Sequence, residues 1–219
     1  MTNALPLQPG RATAPPSLAD IVYASPLTPS PIRTEPLPTT GAYPPLVAIV
    51  GAHGGAATST LARFWAPAAD SGQRWPASTV TTQRVVLAAR LCMPGLVAAA
   101  DRLREWRAEH APAGVTVVAL VLTPTRPGRV PAEVRRYRDL VADLIDDHVF
   151  DIDWHDELIT CELGDLAEWT PGQPVPRRRR RRRITESVPT DVIAAGAAIT
   201  RLVVASRHLS DTSTKESSC

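Results

Sequence analysis

The sequence predicts an α/β domain, a three-layer sandwich in which helices cover both faces of a mostly parallel sheet, preceded by a disordered N-terminal arm. Two observations lead to this fold class. Short apolar, β-branched runs alternate with segments in which apolar side chains recur every three to four residues. The apolar runs show no polar alternation, which is typical of strands buried on both faces of a parallel sheet. Such an order of elements favours parallel strands joined by helical crossovers.

The predicted domain extends over residues 46–209 and contains four strands and four helices. Strands are predicted at 46–50, 84–89, 114–123 and 148–154, with helices at 60–66, 95–110, 131–145 and 189–208 and a turn at 70–78. Three of the helices have an apolar stripe, which should face the core. The stripes consist of Leu96, Ala99, Leu103 and Trp106, then Val134, Tyr137, Val141 and Leu144, then Val192, Ile199, Leu202 and Val203.

The segments outside these elements are expected to be unstructured. Residues 1–43 are dense in proline, which removes backbone donors and blocks helix formation, so they form a disordered arm. Residues 171–186 are rich in proline and arginine and form a linker inside the domain. The polar residues 210–219 form a disordered tail.

Charge is strongly segregated along the chain. The net charge is only +2, but seven consecutive arginines account for +7, so the other residues sum to −5. Clustered guanidinium groups neutralise phosphates without reading sequence, which predicts a nucleic-acid contact. The alternative is a solvated linker, or a strip lying on the acidic stretch 143–157. The candidate nucleic-acid residues are Arg177, Arg178, Arg179, Arg180, Arg181, Arg182 and Arg183.

Cysteine usage and hydropathy indicate a cytoplasmic protein. The three cysteines are widely spaced, which favours neither a disulfide framework nor a zinc site. No stretch is typical of a signal peptide, and none approaches the roughly 18 apolar residues of a membrane span. Asp151, Asp153 and His155 would share one face of the predicted strand 148–154, but no second cluster supplies further metal ligands, so metal binding is not expected there.

A glycine-rich turn between an apolar strand and a helix is the main candidate site. The stretch VAIVGAHGGAATSTLARFW, residues 47–65, has the order of a phosphate-binding loop but contains no lysine. The other interpretation is a tight turn in which hydroxyl side chains cap the helix. Candidate nucleotide- or anion-binding residues are His53, Gly54, Gly55, Ala56, Ala57, Thr58, Ser59 and Thr60.

The segment HGGAATST, residues 53–60, resembles the K-G-G-x-G-K-[ST]-[ST] loop of the ParA/MinD-like deviant P-loop ATPases. The resemblance covers roughly residues 46–208 through VVLAARLCMPGLVAAADRL, VVALVLTPTRPGRVPAEV and FDIDWHDELITCEL. The loop is also similar to HGGAG-x-[ST]TL in a group of actinobacterial proteins. The resemblance implies a trimmed P-loop NTPase-like fold, because the segment between the first helix and the second predicted strand is shortened.

Several loop positions depart from the family pattern. His53 stands at the signature lysine that reaches a dimer partner's phosphates, Thr58 at the catalytic lysine and Ala57 at the last glycine, whereas Ser59 keeps the Mg²⁺-binding hydroxyl. Ser59 and Asp70 are the candidate Mg²⁺ ligands that the resemblance implies. One missing donor of this type costs about 2.7–4 kcal/mol, so hydrolysis should be lost.

We therefore expect a non-hydrolytic ParA/MinD-like protein that acts through contacts with a protein partner, in a setting such as a mobile-element transfer or secretion assembly. No cofactor is predicted in that case. The alternative is an ATP- and Mg²⁺-binding protein or ATPase of this family, with a homodimer as its working form. In that alternative an arginine takes the role of lysine, and the candidates near strand ends are Arg74, Arg90 and Arg126.

Overall fold

The computed structural model describes residues 28–40, 43–173 and 183–216. Five of its strands are β2 Val47–Gly51, β3 Ala68–Asp70, β5 Arg84–Arg90, β6 Thr116–Thr123 and β7 Val149–Asp151. They form one sheet in the order β3-β2-β5-β6-β7, and all four pairings are parallel. The predicted α/β class with a mostly parallel sheet is confirmed.

Four helices cover the two faces of this sheet. They are α1 Thr58–Phe64, α2 Met93–Arg107, α3 Ala132–Ala142 and α4 Thr190–Glu216. The core around α1 and α4 contains Val47 and Ile49 of β2, whereas the core around α2 and α3 contains Ala48 and Val50. Successive residues of one strand therefore face different helices, as the pleat of a strand requires. Of the predicted apolar stripes, Trp106, Val134 and Leu202 are half-buried and the other members are buried.

Helix α4 lies very close to the neighbouring tryptophans, because it carries a glycine at the contact. A Cβ at Gly196 would be 2.6 Å from Nε1 of Trp65 and 2.9 Å from Cζ3 of Trp169. The indole N–H of Trp65 donates to the carbonyl of Val192 at 3.0 Å. These contacts fix the first turns of α4 over the sheet, next to the carboxyl end of β7.

The prediction that residues 1–43 form a disordered arm is wrong for residues 28–40. Strand β1, Ile32–Arg33, pairs in parallel with β4, Trp75–Pro76, inside the stretch predicted as a turn. Leu37 is only 4% exposed and its N–H donates to Oγ1 of Thr81 at 3.1 Å. Proline blocks helices but is compatible with a short edge strand, so its density did not exclude this packing. We call residues 28–40 the strap; residues 1–27 and 41–42 lie outside the described residues.

The strap is attached to a buried charged pair on α2. Glu105 is 2% exposed, and its Oε1 accepts the Ser30 N–H at 2.8 Å while Oε2 accepts the Ser30 hydroxyl. Nη1 of Arg102 lies 3.8 Å from Glu105 Oε2, and the guanidinium lies 5.4 Å from the ring centroid of Trp75. The strap therefore supplies the hydrogen bonds that a buried carboxylate requires.

The C-terminal predictions need two corrections. Helix α4 continues to Glu216, so the tail predicted as disordered from residue 210 is helical up to that point, and 217–219 lie outside the described residues. Within the predicted linker 171–186, Ile184 is buried and its N–H donates to Oε2 of Glu157 at 2.7 Å.

In the part of the chain that the structure covers, no helix combines the length and the apolar character needed to cross a membrane.

Candidate functional site at the carboxyl edge of the sheet

The strand order places a topological switch point beside the glycine loop. From β2 the chain moves outward to β3, and then returns to β5 and continues through β6 to β7 on the other side. In sheets of this order, ligands bind outside the carboxyl ends of the two strands where the direction reverses. Residues 52–57 follow β2 there, and residues 91–92 follow β5. The loop thus lies at the carboxyl edge of the sheet, beside the switch point.

The backbone of the loop takes left-handed conformations at two positions. Gly55 has φ of 76°, and Ala57 has φ of 69° directly before α1. This region costs an L-residue about 1–2 kcal/mol, so Ala57 keeps a backbone geometry that glycine would adopt more easily. Ala56 is buried in the core, while Gly54 and Gly55 are exposed.

The imidazole of His53 is bonded within the loop at both nitrogens. Nδ1 lies 2.8 Å from the carbonyl of Gly54, and Nε2 lies 3.1 Å from the backbone nitrogen of Arg90. Because the Arg90 N–H can only donate, Nε2 must accept and Nδ1 must carry the proton. Both hydrogen-bonding atoms of the ring are therefore used by the fold, and neither extends outward as a lysine ammonium would.

Arg90 connects the loop to the neighbouring strand ends. Its Nε donates to the Gly55 carbonyl and its Nη1 to the Pro124 carbonyl, each at 2.8 Å. Of the three arginines considered from the sequence, this one lies at the loop; Arg74 and Arg126 are exposed. The sequence could not single out Arg90, because its position depends on the pairing of β5 with both β2 and β6.

Ser59 and Asp70 are adjacent in the structure. The Ser59 hydroxyl donates to Asp70 Oδ2 at 2.5 Å, and Oδ1 accepts the Gly72 N–H at 2.8 Å. The two candidate Mg²⁺ ligands thus come together because β3 pairs with β2. Within residues 28–40, 43–173 and 183–216 there is no group of three or more His, Cys, Asp or Glu side chains that could hold a metal ion.

A cavity of about 310 Å³ opens beside the loop, and the sequence did not predict it. It lies between α1, the carboxyl ends of β6 and β7, two 3-10 turns at 156–159 and 163–165, and the start of α4. Turns this short have no periodicity that a sequence would reveal. The polar lining residues are Thr60, Arg90, Thr123, Asp153 and His155, and the buried apolar ones are Leu61, Phe64, Ile152, Leu166 and Val192.

One rim of the cavity contains a histidine–carboxylate pair. Nε2 of His155 lies 3.1 Å from Oδ2 of Asp191, which also accepts the Asp153 N–H at 2.9 Å. The hydrogen bond to Asp191 raises the pKa of His155, against the effect of burial. Burial would raise the pKa of Asp191, but the bonds from His155 and from the Asp153 N–H outweigh it, so the pKa of Asp191 is lowered.

The predicted shared face of Asp151, Asp153 and His155 is wrong. Strand β7 ends at Asp151, which pairs with Nη2 of Arg138 at 2.9 Å, whereas His155 turns to Asp191. The strand ends early because the chain after Ile152 bonds to the first turn of α4 instead of to the sheet.

Little of the arginine run can be placed. Arg177 to Arg182 lie outside the described residues, and Arg183 is exposed. The Arg183 carbonyl accepts hydrogen bonds from the N–H groups of Glu186 and Ser187.

No family model, no curated protein and no solved structure matches this chain.

Proposed function

We propose that this chain is a non-hydrolytic relative of the ParA/MinD-like ATPases that acts through contacts with another protein. The observation that carries the loss of hydrolysis is the closed set of hydrogen bonds around the glycine loop. His53 uses both ring nitrogens within the chain, and Arg90 uses two of its donors on the carbonyls of Gly55 and Pro124. Phosphoryl transfer instead requires cationic donors aimed at the transferring oxygens.

The expected fall in ATP turnover, estimated from the missing lysines, supports the proposed loss of hydrolysis. Thr58 stands where the resembling loops have the catalytic lysine, and its methyl group lies against the backbone of Gly51, since a Cβ there would be 3.0 Å from Thr58 Cγ2. Removing one oxyanion donor lowers kcat by about 10²–10³-fold. Two missing lysines would then reduce turnover by roughly 10⁴-fold or more.

The protein-contact part of the proposal has independent support from the same edge of the sheet. Ile159 is 70% exposed and Leu163 is 46% exposed, and both line the mouth of the cavity. Neighbouring apolar side chains that remain in water are a feature of contact surfaces. A mobile-element transfer or secretion assembly is proposed as the setting by family analogy.

A second candidate function is ATP binding or hydrolysis with Mg²⁺. It is favoured by the 2.5 Å contact between Ser59 and Asp70, because a hydroxyl and a carboxylate side by side are the protein ligands that Mg²⁺ has in P-loop proteins. In this candidate Arg90 would turn from its carbonyl partners toward the phosphates.

Calorimetry with MgATP, phosphate release and sedimentation velocity test the proposal together. We expect no phosphate release above a protein-free blank and the same sedimentation coefficient with and without MgATP. The matched variants are Ser59→Ala at the loop and Ser78→Ala, which precedes β5 at the opposite edge of the sheet. Turnover that Ser59→Ala removes and Ser78→Ala keeps would establish the ATPase candidate instead.

A further inference from the structure

The cavity beside the glycine loop carries two charged side chains, Arg90 and Asp153, that form no ion pair among the described residues. The Asp153 carboxylate is exposed and accepts no hydrogen bond there, while its N–H is used by Asp191. The third charged lining group, His155, is already compensated by Asp191. The cavity thus presents the Arg90 Nη2 amino group, which has no hydrogen-bond partner among the described residues, and the Asp153 carboxylate, which acts on the charge of His155 but forms no ion pair with it.

The strand order sets the spacing between these two groups. The Arg90 guanidinium lies over the end of β6, since it donates to the carbonyl of Pro124 directly after that strand. Asp153 follows the end of β7, the neighbouring strand. Parallel strands are about 4.8 Å apart, so the two charges are separated by roughly one to two strand spacings. The two side chains form no ion pair with each other among the described residues, and a small molecule carrying both opposite charges can reach them together.

The remaining lining specifies the rest of the ligand. Phe64, Leu166 and Val192 form part of a buried apolar floor. A volume of about 310 Å³ lies at the lower end of the range for small-molecule sites, which excludes large cofactors. Burying a small branched or single-ring apolar side chain on this floor favours binding.

From this juxtaposition we propose that the cavity binds a free apolar α-amino acid. The carboxylate accepts from Arg90, the ammonium donates to Asp153, and the side chain packs on Phe64, Leu166 and Val192. A carboxylic acid without an ammonium group would leave Asp153 unpaired and place a second negative charge near it. An amine without a carboxylate would likewise leave Arg90 unpaired and place a second positive charge near it. This binding function is separate from the proposed loss of hydrolysis and does not depend on it.

Binding of L-leucine and L-phenylalanine, measured by calorimetry and saturation-transfer NMR, tests the proposal. The comparators are 4-methylpentanoate and 3-methylbutylamine, which are leucine without its ammonium and without its carboxylate. Hydrogen bonds to charged groups contribute about 1.5–3 kcal/mol, so each comparator should bind at least about tenfold more weakly than leucine.

Two pairs of variants complete the test. Asp153→Asn and Arg90→Gln should each weaken leucine binding about tenfold or more. Asp165→Asn and Arg126→Gln change exposed charges outside the cavity lining, by the same chemical replacements, and should leave binding unchanged. Because Arg90 also supports the loop, Asp153→Asn is the deciding variant; its side chain has no bond to lose, and an unchanged unfolding midpoint will show that it folds.

Three results would overturn the proposal. They are absence of binding of both amino acids up to about 10 mM, equal affinity for either comparator, and unchanged affinity in Asp153→Asn. Equal binding of 4-methylpentanoate would assign the cavity to apolar carboxylates. None of these results affects the phosphate-release measurement, so failure of this inference is distinguishable from failure of the proposed function.

Discussion

At the scale of single residues, the glycine loop differs from a phosphate-binding loop because its side chains are engaged in packing and in hydrogen bonds within the chain. His53 and Arg90 hold each other and the loop backbone, and Thr58 fills the space beside Gly51. Each position at which the resembling ATPases use a cation or a bare backbone is therefore occupied by packing or by an internal hydrogen bond. Restoring one lysine at position 58 would also have to displace these contacts, so a single substitution is not expected to restore hydrolysis.

The pair His155–Asp191 predicts a stability difference that depends on pH. The raised pKa of His155 means that its contribution is complete below its ordinary value of 6.5 and is lost as the pH rises through the raised pKa. The lowered pKa of Asp191 means that its contribution is complete above 3.8 and is lost as the pH falls through the lowered pKa. Asp191→Asn should therefore lower the free energy of unfolding most between pH 3.8 and 6.5.

Urea unfolding of the natural chain and Asp191→Asn from pH 4 to 9 measures this difference. The gap between the two curves should narrow as the pH rises above 6.5. Asp165→Asn provides a control with the same chemical change at an exposed carboxylate. Curves that remain parallel across the whole range would show that the pair does not titrate with folding.

At the scale of elements, the strap depends on one buried carboxylate. Glu105 bonds to Ser30 through both oxygens and is paired with Arg102, so Glu105→Ala would leave a buried guanidinium without its charge partner. Breaking such a pair by removing one member costs about 3–5 kcal/mol. We expect a loss of this size in the free energy of unfolding, measured by urea denaturation.

Asp101→Ala is the matched control for Glu105→Ala, because it removes a half-exposed partner of Arg104 from the same helix. Because the Asp101 side chain is 45% exposed, water screens this pair, and its loss should cost about 0–1 kcal/mol. A loss for Glu105→Ala no larger than for Asp101→Ala would mean that the strap does not contribute to the stability of the domain.

The elements that the sequence predicted well are those long enough to show a pattern. Strands β5 and β6 contain five and six consecutive apolar residues, and both were predicted within two residues of their ends. Strands β3 and β4 have three and two residues, so neither can show alternation, and prolines conceal β1.

The site was predictable only in its local part. The sequence identified the glycine turn at residues 53–57 between a strand and a helix, whereas residues 58–60 belong to α1, which begins two residues earlier than predicted. Ser59 and Asp70 were candidate Mg²⁺ ligands from the family pattern, and the pairing of β3 with β2 brings them into contact. The roles of Arg90 and Asp191 depend on contacts 35 and 36 residues distant along the chain, which no local pattern encodes.

At the scale of the whole molecule, charge is divided between one basic run and an acidic remainder. The seven arginines carry +7, the rest of the chain sums to −5, and Arg183 at the end of the run is exposed. Ile184 is anchored by its bond to Glu157, so the base of the run is held on the domain. Because seven adjacent like charges repel one another, such a run must be solvated or meet an anionic surface.

If that surface is duplex DNA, binding should be independent of sequence and should weaken steeply with salt. The logarithm of the binding constant falls by about 0.9 per phosphate contacted for each unit of log salt concentration, so full engagement of seven arginines predicts a slope of about −6. We expect this slope for the natural chain, and near loss of binding when residues 177–183 are replaced by a Gly/Ser linker of equal length. Fluorescence anisotropy with a mixed-sequence duplex, from low to physiological salt, measures both the slope and the loss of binding.

Replacing the same residues by lysines is the charge-matched control, which should keep most of the affinity, since this contact neutralises phosphates without reading bases. Equal binding by the natural chain and the Gly/Ser variant, or no binding by the natural chain at low salt, would show that the run is a linker and does not contact nucleic acid.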